Sequence, residues 1–202
     1  MLTIALPKGR IADETLEIFE KAFDTKFDFE DRKLILEKDG FRFLLVRNQD
    51  VPVYVLNQAA DLGVVGLDVL VEKQMDLVKL LDLGIGRCRV CIGMKKEDEL
   101  DYSKPEITIA TKMVNITREY FSSKAMAVKI IKLYGSIELA PIVGLSDAIV
   151  DIVETGNTMK QNGLKVVQDI FESSAHLIAN KNSFISQKSE ILDLYENIKK
   201  NL

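Results

Sequence analysis

A chain of 202 residues that is 47% hydrophobic and 29% charged has enough apolar material for a substantial core, as one domain or as two small interwoven lobes. Its 27 basic and 31 acidic side chains leave a formal charge of −4, which gives no basic field strong enough to point to nucleic acid, leaves room for local basic clusters, and means that small anionic ligands are held locally. The opening MLTIALPKGR reads as a buried strand entering a loop rather than an export leader, no apolar run is long enough to span a bilayer, and two cysteines, Cys88 and Cys91, provide no disulfide framework, so a cytoplasmic protein is expected.

The first strand, LTIAL, leads into IADETLEIFEKAF, where Ile11, Thr15, Phe19 and Ala22 recur at helical spacing beside Leu16 and Phe23. In KLILEKDGFRFLLVR two β-rich runs flank Asp39-Gly40, a dipeptide suited to a tight hairpin because glycine accepts positive φ. Pro52 is expected to open a helix through Gln58, since its fixed φ suits a first turn. DLGVVG reads as a buried strand ending in a glycine loop, and LDVLVEKQ as a short helix. Strands alternating with helices imply an α/β fold.

From Leu77 to Lys95 two apolar runs surround GIGR. The polar stretch KKEDELDYSKPE that follows is a solvated connection, at a lobe boundary or in a hairpin loop. EITIAT is a further strand, NITREYFSSK a helix, AVKIIKL a strand, and DAIVDIV a strand entering DIVETGNTMKQNG. The long β-rich LKVVQDIFESSAHLIAN is placed to carry the chain back to the first lobe. Ile191, Leu194, Tyr195, Ile198 and Leu202 mark the apolar stripe of a terminal helix.

DIVETGNTMKQNG joins two opposed features. Amides at a helix start, with the Thr155 and Thr158 hydroxyls, suit a phosphate, although Thr155 can equally cap a helix with no ligand. Asp151 and Glu154 would repel a bare phosphate, but carboxylates accept hydrogen bonds from sugar hydroxyls and stabilise positive charge at a sugar carbon. A sugar phosphate satisfies both halves. At the other end, LPKGR places Lys8 and Arg10 around Gly9 where the first strand meets the first helix, a position that opens onto ligand crevices in α/β sheets; a solvated turn is the alternative. Arg32 and Arg47 flank strands. Cys88 and Cys91 spell C-x-x-C, but residues three apart in a strand point to opposite faces, and no second pair is near. His176 is the only histidine, in a β-rich run that suits a structural or surface role. GIGRCR fails the dinucleotide fingerprint, because Arg89 stands in place of the third glycine, and GNTMK is no P-loop.

From Glu138 to Met159, ELAPIVGLSDAIVDIVETGNTM resembles the signature of the ATP phosphoribosyltransferase family, with Glu138, Gly144, Ser146, Ile149, Asp151, Ile152, Thr155, Gly156, Thr158 and Met159 at its positions. LPKGR, DLGVVGLDVL with Glu72, GIGRCR and IATKMVNIT resemble further strings of that family, in its order. The resemblance implies two α/β lobes similar to type II periplasmic binding proteins, with the active site in the cleft between them. The expected division is residues 1–88 plus 172–202 for one lobe and 89–171 for the other, which carries the phosphoribosyl loop.

The resemblance also implies the reaction: N1 of ATP attacks C1 of phosphoribosyl pyrophosphate and pyrophosphate leaves, with Mg2+ on the substrate phosphates. Thr155, Gly156, Asn157 and Thr158 would hold the 5-phosphate, and Asp151 and Glu154 the ribose hydroxyls. Lys8, Gly9 and Arg10 would face phosphates, and Arg32 would join them at the leaving pyrophosphate. Asp68, Cys88 and Arg89 match strings on the nucleotide side. With no histidine-binding C-terminal domain expected, the chain resembles the family's short form, which works with a regulatory subunit related to histidyl-tRNA synthetase. That implies a homodimer alone and a hetero-oligomer with the partner. A non-catalytic two-lobed binding module is the competing expectation.

Overall fold

The computed structural model describes residues 1–202. In chain order the elements are β1 (Leu2–Pro7), α1 (Arg10–Phe23), β2 (Ile35–Lys38), β3 (Phe41–Val46), α2 (Val51–Leu56), β4 (Leu62–Gly66), α3 (Leu67–Lys73), β5 (Val78–Asp82) and β6 (Cys88–Lys95), followed by β7 (Glu106–Thr111), α4 (Val114–Ser123), β8 (Ala127–Lys132), α5 (Leu139–Ile142), β9 (Ala148–Val153), α6 (Asn157–Gln161), β10 (Leu164–Ser173), β11 (Ala175–Ala179), α7 (Lys181–Ser186) and α8 (Lys188–Lys200). They form two compact units. Unit 1 comprises Met1–Leu70, Gln74–Gly86 and Ser174–Leu202; unit 2 comprises Val71–Lys73 and Arg87–Ser173.

Unit 1 is built on a six-stranded sheet in the order β2-β3-β1-β4-β11-β5. β1 runs parallel to β3 and β4, whereas β2 pairs antiparallel with β3, and β11 antiparallel with β4 and β5. The β2–β3 reversal is the Asp39-Gly40 turn, with φ of 47° and 81°, the double positive φ that a two-residue hairpin of this hand demands. All five residues of β4 are buried, as expected of a strand covered on both faces. Leu62 and Val64 join the core beneath α1 and α8, and Val65 joins the one beneath α2 and α3. Gly63 is needed there because a Cβ would lie 2.7 Å from Val55 Cγ2 and 2.8 Å from Val51 Cγ1.

The buried stripe of α1 is Ala12, Thr15, Leu16, Ile18 and Phe19. The expected Ile11, Ala22 and Phe23 are only half-buried, because the helix turns its Ala12–Phe19 line to the sheet. Thr15 is tolerated at full burial because its hydroxyl donates to the Ile11 carbonyl at 2.6 Å. Phe19 meets Phe41 and Phe43 edge-on, at centroid distances of 5.5 and 5.2 Å, and Phe27 meets Phe43 at 5.2 Å, a geometry that matches ring edges to faces. At the other end of the chain, Ile191, Leu194 and Ile198 of α8 are buried, but Leu202 lies past the helix and is exposed. The terminal stripe is therefore shorter than its sequence pattern.

Unit 2 carries a five-stranded sheet in the order β10-β6-β9-β7-β8. β7 is parallel to β8 and β9, while β6 is antiparallel to β9 and β10. The polar stretch after Lys95 connects β6 to β7 inside this unit, past the intervening β9, and is not a hairpin loop. One face of the sheet, with Val90, Ile92, Ile109 and Val150, packs against Ile116 and Phe121 of α4. The other face, with Cys91, Ile149 and Val153, packs against Ala140 of α5 and Met159 of α6. Glu72 accepts from the Asn115 and Ile116 amides at 2.9 and 3.0 Å, capping α4, which lacks a cap of its own. No helix is long and apolar enough to cross a membrane.

Candidate active site

In unit 2, β9 ends at Val153, and the chain turns through Glu154–Gly156 into α6. Gly156 has φ 80°, while an added Cβ there would approach nothing closer than Val153 Cγ1 at 3.8 Å. Backbone angle, not space, calls for glycine. Gly156 rather than Thr155 occupies the cap position, and no side chain caps α6. Thr155 Oγ1 accepts from the Asn157 amide only at a long 3.4 Å, so the amides of this first turn are weakly engaged by side chains and suit an anion.

A pocket of about 160 Å³ lies here, lined by Glu138, Asp151, Glu154, Thr155, Gly156 and Thr158 together with Ile152, Val153 and Met159. It joins both acids of the motif to the loop. Asn157, exposed at the start of α6, does not line it. The Asp151 side chain is largely enclosed, 14% exposed. Its Oδ1 accepts from the Ile152 amide at 2.8 Å and lies 3.1 Å from Lys112 Nζ. Nothing local in the sequence singles out Lys112, because a lysine just after a strand is usually solvated. Met159 seats α6: a Cβ on Gly93 of β6 would lie 2.9 Å from Met159 Sδ and 3.1 Å from Ile149 Cγ1.

On β6, the strand next to β9, Arg89 Nη1 pairs with Asp169 Oδ2 of β10 at 2.6 Å, and the buried Cys91 thiol donates to Asp169 Oδ1 at 3.2 Å. The thiol's hydrogen bond, joined by the guanidinium's, holds the Asp169 carboxyl below its usual range. Burial, reinforced by that acid, pushes the Cys91 thiol up to about 12. Cys91 is thus a neutral packing group rather than a nucleophile or metal ligand. Cys88, half-buried at the start of β6, forms no disulfide either. Arg89 is committed to Asp169, and neither residue lines the pocket beside Thr155.

In unit 1 the β1–α1 loop is shaped by Gly9, φ 98°, with the Lys8 amide donating to the Val46 carbonyl at 2.9 Å. Arg10 Nε lies 3.4 Å from Glu14 Oε1, and Glu14 Oε2 accepts from the Gly86 amide at 3.2 Å. Glu14 therefore ties the LPKGR and GIGR loops together. Gly86 permits this close approach, since a Cβ there would sit 2.9 Å from Ile11 Cγ1.

Lys8, Gly9 and Arg32 line one cavity of about 700 Å³ between α1 and residues 26–34, whereas Arg10 does not line it. Its acids, Asp13, Glu17, Glu20, Asp28, Glu30 and Asp31, outnumber Lys8, Lys26, Arg32 and Lys33. The expected cluster of cations is thus divided, and its shared cavity carries an excess of negative charge. Asp68 is buried in the first turn of α3, away from both cavities. His176 Nδ1 lies 3.1 Å from the Ser174 carbonyl, a local contact without a catalytic partner. No three His, Cys, Asp or Glu side chains converge to hold a metal ion.

The family profile described as ATP phosphoribosyltransferase matches residues 47–200. The ATP phosphoribosyltransferase of Campylobacter fetus subsp. fetus is 71% identical over 198 residues, with 98% of each chain covered. That of Helicobacter hepaticus is 62% identical over 202 residues, covering 100% of this chain and 98% of the relative. Among solved structures, the ATP phosphoribosyl transferase (HisG:HisZ) complex from Thermotoga maritima superposes with a TM-score of 0.86 at 35% identity, over 100% of this chain and 98% of that one. The periplasmic aliphatic sulphonate binding protein SsuA from Escherichia coli gives a TM-score of 0.64 at 13% identity, covering 99% and 72% of the two chains, a likeness of fold alone.

Proposed function

The chain belongs to the ATP phosphoribosyltransferase family, and on that premise we propose how its residues divide the work of the reaction. The reaction is the family's: the phosphoribosyl group passes from phosphoribosyl pyrophosphate to N1 of ATP, pyrophosphate leaves, and histidine biosynthesis begins. The non-catalytic binding module is set aside, because the likeness to SsuA extends to the fold only, whereas the full-length relatives carry the enzyme's name.

The observation that carries the assignment is the unit 2 pocket, where two carboxylates adjoin an uncapped loop. Thr155, Gly156 and Thr158 receive the 5-phosphate, with Asn157 contributing its backbone. Asp151 and Glu154 accept from the ribose hydroxyls and stabilise the positive charge that grows at C1 as pyrophosphate departs. Holding C1 and N1 in line supplies much of the remaining acceleration. In unit 1, Lys8, Gly9 and Arg32 take substrate phosphates, with Arg32 at the leaving pyrophosphate, and Arg10 serves the same charge from beside Glu14. Asp68, Cys88 and Arg89 stay on the nucleotide side.

The family's reaction needs a divalent metal; we assign Mg2+, carried by the substrate phosphates, whose charge it neutralises. The acid excess in the Lys8–Arg32 cavity supports this, since phosphates would enter it with their counter-ion. We further assign the chain to the short form, with the two compact units as its lobes. It acts in the cytoplasm as a homodimer, and as a hetero-oligomer with a regulatory subunit related to histidyl-tRNA synthetase. The relatives' matching length and the two-component complex from Thermotoga maritima support that reading. The test is to mix the full chain with ATP, phosphoribosyl pyrophosphate and Mg2+, following pyrophosphate and the altered adenine absorbance. No turnover, with or without the partner subunit, overturns it.

A further inference from the structure

Thr111 is fully buried at the end of β7, and its hydroxyl is used twice. It donates to the Val150 carbonyl of β9 at 2.7 Å and accepts from the Met113 amide at 2.9 Å. These bonds clamp residues 111–113 against β9 one residue before Asp151, with Thr111 and Val150 in register. Lys112 stands between the two clamped positions. Its side chain, 33% exposed, reaches Asp151 Oδ1 at 3.1 Å. The same oxygen accepts from the Ile152 amide at 2.8 Å, while no group of the chain donates to Oδ2. The carboxylate is therefore held by one oxygen and offers the other to a ligand.

We propose that Lys112 is a positioning residue for the phosphoribosyl site: it fixes the Asp151 carboxylate through Oδ1 so that Oδ2 meets the ribose hydroxyls. This inference rests on the reading of Asp151 as a ribose ligand. The physical need is plain, because a carboxylate turns about its last bond, and an acceptor free to turn loses orientation each time it binds a hydroxyl. A cation on one oxygen removes that freedom before the substrate arrives. Lys112 directly follows β7, whose last residue, Thr111, is in register with Val150 of the adjacent parallel strand β9.

The test compares K112M, K112R, D151N and K112M/D151N in the full chain, using steady-state kinetics for each substrate and thermal unfolding. K112M should lower kcat/KM for phosphoribosyl pyrophosphate by about tenfold or more, with the KM for ATP and the unfolding temperature close to wild type. K112R keeps the cation and should recover most of the loss, which a role in packing alone would not produce. The double variant should be no worse than D151N, because Lys112 acts through that carboxylate. K112M at wild-type efficiency overturns the proposal, as does a loss that adds to that of D151N, which would place the lysine on the substrate itself. D151N at wild-type efficiency overturns the underlying ribose assignment instead.

Discussion

Met159 rests on the bare backbone of Gly93: a Cβ at residue 93 would lie 2.9 Å from its Sδ and 3.2 Å from its Cε. The contact joins α6 to β6 and so seats the Glu154–Gly156 turn, the proposed phosphate loop, on the sheet. Gly93→Ala should therefore act on both stability and binding. Overpacking of this kind costs about 1–3 kcal/mol, and the lifted helix should raise the KM for phosphoribosyl pyrophosphate more than that for ATP. Urea unfolding and steady-state kinetics measure the two effects separately; equal KM changes would contradict this role for the contact.

Glu154 lines the same pocket as Thr155 and Thr158. Glu154→Gln keeps the shape and removes the charge, so kcat should fall together with kcat/KM as stabilisation of the ribosyl cation is lost, by about a hundredfold if the carboxylate matches a strong transition-state group. Circular dichroism should be unchanged, because the residue is exposed. Wild-type catalytic efficiency would remove Glu154 from the mechanism.

The Cys91 thiol, pushed up to about 12 from an ordinary value near 9, makes two predictions with one sign. In the folded chain the group keeps its proton between those values, whereas the unfolded chain loses it, so this thiol's contribution to stability is constant below about pH 9 and declines as pH rises toward about 12. Cys91→Ala should flatten that alkaline decline in urea titrations. At pH 8 a thiol reagent should modify Cys88 first, and label Cys91 only after denaturation, as peptide mass mapping would show.

Phe19 is fully buried and touches Phe23, Phe27, Phe41 and Phe43. Phe19→Ala should cost about 3–5 kcal/mol, from lost transfer energy and the cavity left behind. Phe19→Leu should cost less. If both variants unfold at the wild-type urea midpoint, the aromatic cluster does not support unit 1.

What could be read in the sequence was what neighbouring residues decide. Asp39-Gly40 forms its turn because both residues carry the positive φ the dipeptide permits, and the run from Asp151 to Thr158 forms one pocket because strand, turn and helix follow each other directly. Long-range pairings were hidden. Lys112 meets Asp151 only because β7 and β9 are sheet neighbours, and Glu14 reaches Gly86 across 72 residues. The short α5 and α7 have no periodic pattern long enough to announce them. The first contains Pro141, which breaks the helical pattern. The second carried a readable cap in Asn180, whose Oδ1 accepts from the Asn182 and Ser183 amides at 2.8 and 3.2 Å, although its use of Nδ2 on the Val55 carbonyl was beyond local inference. The Lys8–Arg32 cavity shows the reverse error: basic residues stand out in a sequence, while the acids that outnumber them are scattered over α1 and the loop beyond it.

The position of β11 sets a timetable for synthesis. It is the strand between β4 and β5, and β5 pairs with no other. On the ribosome β5 must wait as an unpaired edge for almost a hundred residues of later chain, until Ala175–Ala179 has emerged to close the sheet. Unit 2, nearly all of it within Arg87–Ser173, can assemble during that wait. The enzyme's first-made unit is thus the last to be finished, and the nascent chain is most in need of protection from edge-to-edge association just before its final helices appear.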